Sequence, residues 1–145
     1  MKIIAHRGNI NGRNPERENS PDYILEALAL GFDVEVDVWF VEGKFYLGHD
    51  EPVFKTDTDF LRNPKLWCHA KNTDALHELL KANTNCFWHE NDSFTLTSRG
   101  TPWCFPGKWI SGGVTVVFSN PSEVNVPDFI GGVCVDNPLA WVELI

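Results

Sequence analysis

Ser20-Pro21-Asp22-Tyr23-Ile24-Leu25-Glu26-Ala27-Leu28-Ala29-Leu30-Gly31-Phe32-Asp33-Val34-Glu35-Val36-Asp37-Val38-Trp39 is the stretch whose reading decides the fold. Ser20 is a favoured N-cap residue and Pro21 suits the first helical turn. The apolar Tyr23, Ile24, Leu25, Ala27 and Leu28 follow, and Gly31 stops the helix. Val34–Trp39 then forms a short Val-rich run of the kind that suits a buried strand. Upstream lies a similar run, Ile3–Ala5. Strand, helix and strand in that order are the unit of a parallel sheet with right-handed crossovers.

The same rhythm continues through the chain. Phe45–Leu47, Leu66–Cys68, Cys86–Trp88, Trp103–Phe105, Val114–Phe118 and Val133–Val135 are further short apolar runs, each closed by polar or turn residues. Gly43, between Val41 and Phe45, predicts a hairpin joining the second and third runs. A second helix is expected over Thr73–Asn83, with a cap at its start and Ala75, Leu76, Leu79 and Leu80 at helical spacing. After about residue 90 helical patterning fades, and Gly, Pro, Ser and Asn dominate the connections. The 145 residues suffice for one domain with a proper core and are too few for two. An eight-fold α/β barrel typically takes about 250 residues. The chain therefore holds either a small open sheet or a barrel whose outer helices have been cut back to loops.

Composition narrows the function. At 43% hydrophobic the chain is not disordered, and no apolar run approaches the roughly 20 residues of a membrane span. Twelve Lys and Arg stand against 20 Asp and Glu, for a net charge of −8, which argues against a nucleic-acid or anionic-membrane binder. An anionic substrate would need a local cation to overcome that field. The first apolar stretch breaks after three residues, unlike a signal peptide, so a cytoplasmic location is expected. Cys68, Cys86, Cys104 and Cys134 form no C-x-x-C pair and are read as reduced, buried strand residues.

The ionisable residues fall at the ends of the runs. His6 and Arg7 follow the first, Glu35 and Asp37 lie two apart in the second, and His49 and Asp50 follow the third. His69 and Lys71, His89 and Glu90, and Asp136 end later runs. Residues two apart on a strand share a face, and the carboxyl ends of strands are where α/β folds place active sites. Val34, Val36 and Val38 are apolar on the opposite face, so Glu35 and Asp37 look away from that core. His77 and His89 are read as structural, and the tryptophans as packing, with Trp103 best placed to line a pocket.

His6-Arg7-Gly8, Glu18-Asn19-Ser20, Gly31 before Glu35-Val36-Asp37-Val38, and His49-Asp50 together resemble the N-terminal signature of the glycerophosphodiester phosphodiesterase family, over about residues 1–55. Gly132-Val133-Cys134-Val135-Asp136-Asn137-Pro138 is similar to that family's last barrel strand. The resemblance implies a metal-dependent α/β barrel that cleaves glycerophosphodiesters to an alcohol and glycerol phosphate. It implies Glu35, Asp37 and Glu18 around a Mg²⁺ or Ca²⁺ ion, His6 and His49 as general acid and base, and Arg7 on the phosphate. It also implies attack by the substrate's own neighbouring hydroxyl, giving a cyclic phosphate that water then opens. Two positions depart from the family pattern: Arg17 stands where Pro is usual before Glu-Asn, and His69-Ala70-Lys71 carries His where the third metal-binding carboxylate is expected.

The residues support this chemistry independently. A phosphodiester needs its non-bridging charge neutralised, a base for the nucleophile and an acid for the leaving oxygen. Two carboxylates on one face supply hard oxygen ligands, and two histidines titrate near neutral pH. His69 is expected beside Glu35 and Asp37, weakening Mg²⁺ and Ca²⁺ binding and favouring Mn²⁺, with Lys71 placed to meet a phosphate oxygen. The expectation is a single domain, 1–145, a trimmed TIM-type (β/α) barrel whose crossovers after Asn91 are loops. Its wall is then left uncovered or covered by a partner subunit in a homo-oligomer. Its substrate is a small-molecule phosphodiester. The alternatives are a sphingomyelinase-D-like enzyme that stops at the cyclic product, and a non-catalytic binder of phosphate headgroups.

Overall fold

The computed structural model describes residues 1–144. The chain runs β1 (Lys2–His6), α1 (Pro21–Ala29), β2 (Asp33–Val41), β3 (Lys44–Leu47), β4 (Phe54–Thr56), α2 (Thr58–Leu61), β5 (Leu66–Ala70), α3 (Thr73–Lys81) and β6 (Cys86–Phe87). Then follow β7 (Phe94–Leu96), β8 (Pro102–Cys104), β9 (Val114–Val117), β10 (Gly132–Val135) and α4 (Pro138–Val142). The Ser20 hydroxyl accepts from Tyr23 N–H at the start of α1, as a capping serine should. On α3 the cap is Asn72, whose side chain accepts from Ala75 N–H, one residue earlier than the sequence suggests. Glu42 and Gly43 both have positive φ, the two-residue turn that matches strand twist and closes the β2–β3 hairpin.

Seven strands pair in parallel, in the order β6-β5-β2-β1-β10-β9-β8. The sheet is mixed rather than wholly parallel, because β3, β4 and β7 are antiparallel additions. β4 and β7 went unread in the sequence: each is three residues long and half solvated, too short to show a period. β2 is long enough to serve two partners, pairing with β5 over Val34–Val38 and with β3 over Val38–Val41.

Two apolar clusters sit on the two faces of this sheet. On one face Val34, Val36 and Val38 pack with Ile24 and Ala27 of α1 and Ala75 and Leu79 of α3. On the other, Ile4, Trp67, Phe87, Trp103, Val114, Val116 and Cys134 form a cluster drawn from six of the seven parallel strands. Phe87 of β6 stacks on Trp103 of β8 at 4.4 Å, so the two ends of the parallel run meet through their rings. Their backbones do not complete a ladder. The gap is crossed instead by Ser98 N–H to the Cys86 carbonyl and the Thr95 hydroxyl to the Trp88 carbonyl, both 2.8 Å. After Asn91 the helical segments among the described residues are one 3₁₀ turn at Pro121–Glu123 and the five-residue α4. All four cysteines are buried with free thiols. No helix among the described residues is long and apolar enough to cross a membrane.

Candidate active site

Carboxyl ends of the parallel strands converge on a cavity of about 240 Å³. His6 and Arg7 reach it from β1, Glu35 and Asp37 from β2, His69 from β5, and His89 and Glu90 from the segment after β6. His49 arrives by another route. The β2–β3 hairpin overshoots the sheet and returns, Gly48 N–H bonds the Asp37 carbonyl at 3.1 Å, and His49 is delivered above Asp37. Gly48 suits this turn because a Cβ there would collide with the Glu51 carbonyl oxygen.

Glu35 and Asp37 are buried, so each carboxylate needs partners. Glu35 Oε1 accepts from Arg7 N–H at 3.2 Å. Asn19 brackets Asp37: its Nδ2 donates to Asp37 Oδ2 and its Oδ1 accepts from Asp37 N–H, both at 2.9 Å. His69 Nδ1 lies 3.6 Å from Glu35 Oε2 and 3.5 Å from Asp37 Oδ1. Burial alone would raise the Asp37 pKa, but His49, His69 and the Arg7 charge hold it well below the usual carboxylate range. Burial would likewise lower that of His69. The Asp37 and Glu35 carboxylates beside Nδ1 outweigh this and push it up to about 9.

Glu35, Asp37 and His69 offer ligand atoms that all lie within 4.8 Å of one another. Neighbouring ligands of an ion bound at 2.0–2.6 Å stand roughly 3–3.7 Å apart, so the two His69 separations fit a shared cation. The donor set fits as well: two hard oxygens, and a histidine whose other ring nitrogen is fixed by a backbone carbonyl, His69 Nε2 donating to His89 O at 2.9 Å. Glu18 is not brought to this cluster. Its carboxylate accepts from Asn9 at 2.8 Å and from Arg7 and Arg13 at 3.2 Å, along an adjoining pocket.

His6 Nδ1 donates to Asp136 Oδ1 at 2.8 Å, which leaves Nε2 directed toward Glu35 at 4.0 Å. Burial would lower the His6 pKa, but the Asp136 hydrogen bond and the Glu35 charge outweigh it and raise it. Arg7, in the left-handed region at φ 57°, points its guanidinium at Glu18, at Asp37 (3.4 Å) and at His49 Nε2 (3.2 Å). Since arginine only donates, His49 Nε2 accepts and Nδ1 carries the proton, 3.4 Å from Asp37. Arg7 Nε and His49 Nδ1 are buried with no hydrogen-bond partner among the described residues.

Lys71 does not join the lining: it follows β5 half-buried, its N–H bonded to the Val38 carbonyl. Arg17 pairs with Glu26 and lies 4.5 Å over the Tyr23 ring, away from the cavity. His77 is exposed on α3, as a structural reading allows, whereas His89 lines the cavity. Trp103 lines it too, as its position suggested. Asn9 and Asn19 have no role assigned from sequence, and Asp136 stands there only among the ionisable strand ends. Asn9 and Asn19 follow Gly8 and Glu18 in the motif itself, and Asn19, at φ 67°, is a residue type that tolerates the left-handed region. Comparison with known protein families, with curated proteins and with solved structures finds no match.

Proposed function

We propose that the chain is a metal-dependent phosphodiesterase acting on a glycerophosphodiester-like substrate, built on a trimmed α/β barrel. The observation that carries this reading is the buried Glu35–Asp37–His69 cluster sharing a cavity with three further histidines, His6, His49 and His89, and with Arg7. A divalent cation held there, Mg²⁺, Ca²⁺ or Mn²⁺, would neutralise the non-bridging phosphate oxygens. Glu35 and Asp37 supply oxygen and His69 supplies Nδ1 once it has shed its proton.

Each remaining group has a role set by its hydrogen bonds. Asp136 holds His6 with Nε2 toward the cavity and favours the imidazolium, which suits His6 to protonate the leaving oxygen. His49 carries its lone pair on Nε2, now turned to Arg7. When Arg7 moves onto the phosphate, that nitrogen is free to take the proton of the attacking hydroxyl. Asn19 and Asn9 keep Asp37, Glu18 and Asp136 in place. Turnover of a panel of glycerophosphodiesters with and without Mg²⁺, Ca²⁺ and Mn²⁺ tests the reading. Phosphomonoester product supports hydrolysis, and a cyclic product that persists assigns the sphingomyelinase-D-like course. Binding without turnover under every metal leaves only a headgroup binder.

A further inference from the structure

The cavity is divided by strand. Every residue that β1, β2 and β5 and the segments after β3 and β6 lend to it is ionisable, whereas β8 and β9 lend only apolar ones. On the apolar wall Trp103 and Val116 are buried, but Phe105 and Phe118, each following the carboxyl end of its strand, are 38% and 64% exposed. Phe118 meets His6 edge-on at 5.8 Å and Phe105 meets His89 edge-on at 6.2 Å, so both rings stand at the rim beside cavity histidines. Rings meant only to exclude water from the chemistry would gain most by lying under cover, and these two lie open. About 240 Å³ is also less than the roughly 300 Å³ at which ligand cavities usually begin. A phosphate and its cation would occupy the ionisable side, and the rest of a diester would have to extend across the two rings.

We propose that one of the two alcohols in the substrate is apolar, an alkyl or aryl group seated on Phe105 and Phe118. This rests on the phosphodiesterase reading and adds the chemical class of the half that the ionisable residues leave unspecified. The apolar alcohol gains affinity by leaving water against the rings, and a polar one gains little there.

The test uses three glycerol phosphodiesters whose second alcohol is glycerol, n-hexanol or benzyl alcohol, assayed with Mn²⁺ and Mg²⁺. Wild-type kcat/KM is expected to be at least ~10-fold higher for the hexyl and benzyl diesters than for the diglycerol one. In the exposed double variant Phe105→Ser/Phe118→Ser that preference for the hexyl and benzyl diesters over the diglycerol one should fall by about tenfold, mostly through KM. Equal or better turnover of the diglycerol diester by wild type, or a preference that survives the double substitution, overturns the apolar subsite and leaves the phosphodiesterase standing. If none of the three is cleaved with either metal, the phosphodiesterase reading fails and this inference fails with it.

Discussion

His69 donates its Nε2 proton to the backbone carbonyl of His89 at 2.9 Å, and that one bond turns Nδ1 toward Glu35 and Asp37. A histidine so held has two states of use. Protonated, it is the counter-ion of two buried carboxylates; deprotonated, its Nδ1 lone pair would serve the cation proposed above.

Metal affinity should therefore rise with pH. With the His69 pKa up to about 9, each ion bound near neutral pH displaces a proton, and calorimetry in buffers of different ionisation enthalpy will count it. Wild-type affinity for Mg²⁺ and Mn²⁺ should increase from pH 6 to pH 8. His69→Glu should bind Mg²⁺ more tightly than wild type, with little pH dependence over that range. Wild-type affinity indifferent to pH, together with no gain in His69→Glu, removes His69 from the metal site.

Stability of the metal-free protein should move the opposite way. Because the folded His69 pKa of about 9 lies above the ordinary 6.5, its stabilising contribution is fully present below pH 6.5 and is lost as pH rises toward 9. The loss is at most about 3 kcal/mol. Denaturant midpoints at pH 6.5 and 9 measure it, and added Mn²⁺ at pH 9 should restore part of it by binding the folded state.

His6→Ala and His49→Ala should each lower turnover at least ~100-fold with the fold intact. Asp136→Asn should cost less, about 10-fold. Because Asp136 raises the His6 pKa, that variant should also shift the acid-dependent limb of the pH–rate profile to lower pH. A drop in rate with no displaced limb would mean that Asp136 does not act through His6.

Asn19→Ala should destabilise by about 2–4 kcal/mol, since it strips two hydrogen bonds from buried Asp37 and places Ala at φ 67°. Asn19→Gly keeps the backbone and loses only the bonds. A smaller loss of Tm with an equal loss of metal affinity in the Gly variant would separate the two contributions.

Gly48→Ala should impair the site more than the fold. The added Cβ meets the Glu51 carbonyl, so the loop carrying His49 must move off Asp37. Turnover should fall at least ~10-fold, for less than about 2 kcal/mol of stability. The comparison is kcat/KM against the urea midpoint for the same preparation.

Much of the site could be read along the chain because its determinants are local. Ser20, Pro21 and Gly31 bound a helix by capping and φ preference, and Glu35 and Asp37 share a strand face because strand side chains alternate. Strand-end position brought His6, Arg7, Glu35, Asp37, His49, His69, Lys71, His89, Glu90 and Asp136 forward together, and the family resemblance assigned roles among them. What the three-dimensional structure decided depends on pairs far apart in sequence. His6 meets Asp136 across 130 positions, Asn19 meets Asp37 across 18, and Glu18 turns to two arginines instead of the carboxylate cluster. Lys71 shares the alternation of His69 yet does not line the cavity, although its N–H still bonds the Val38 carbonyl of β2. The stacking of Phe87 on Trp103 and the opposition of ionisable and apolar walls arise from the curl of the sheet. Curl is a property of seven strands packing at once, and no window of neighbouring residues contains it.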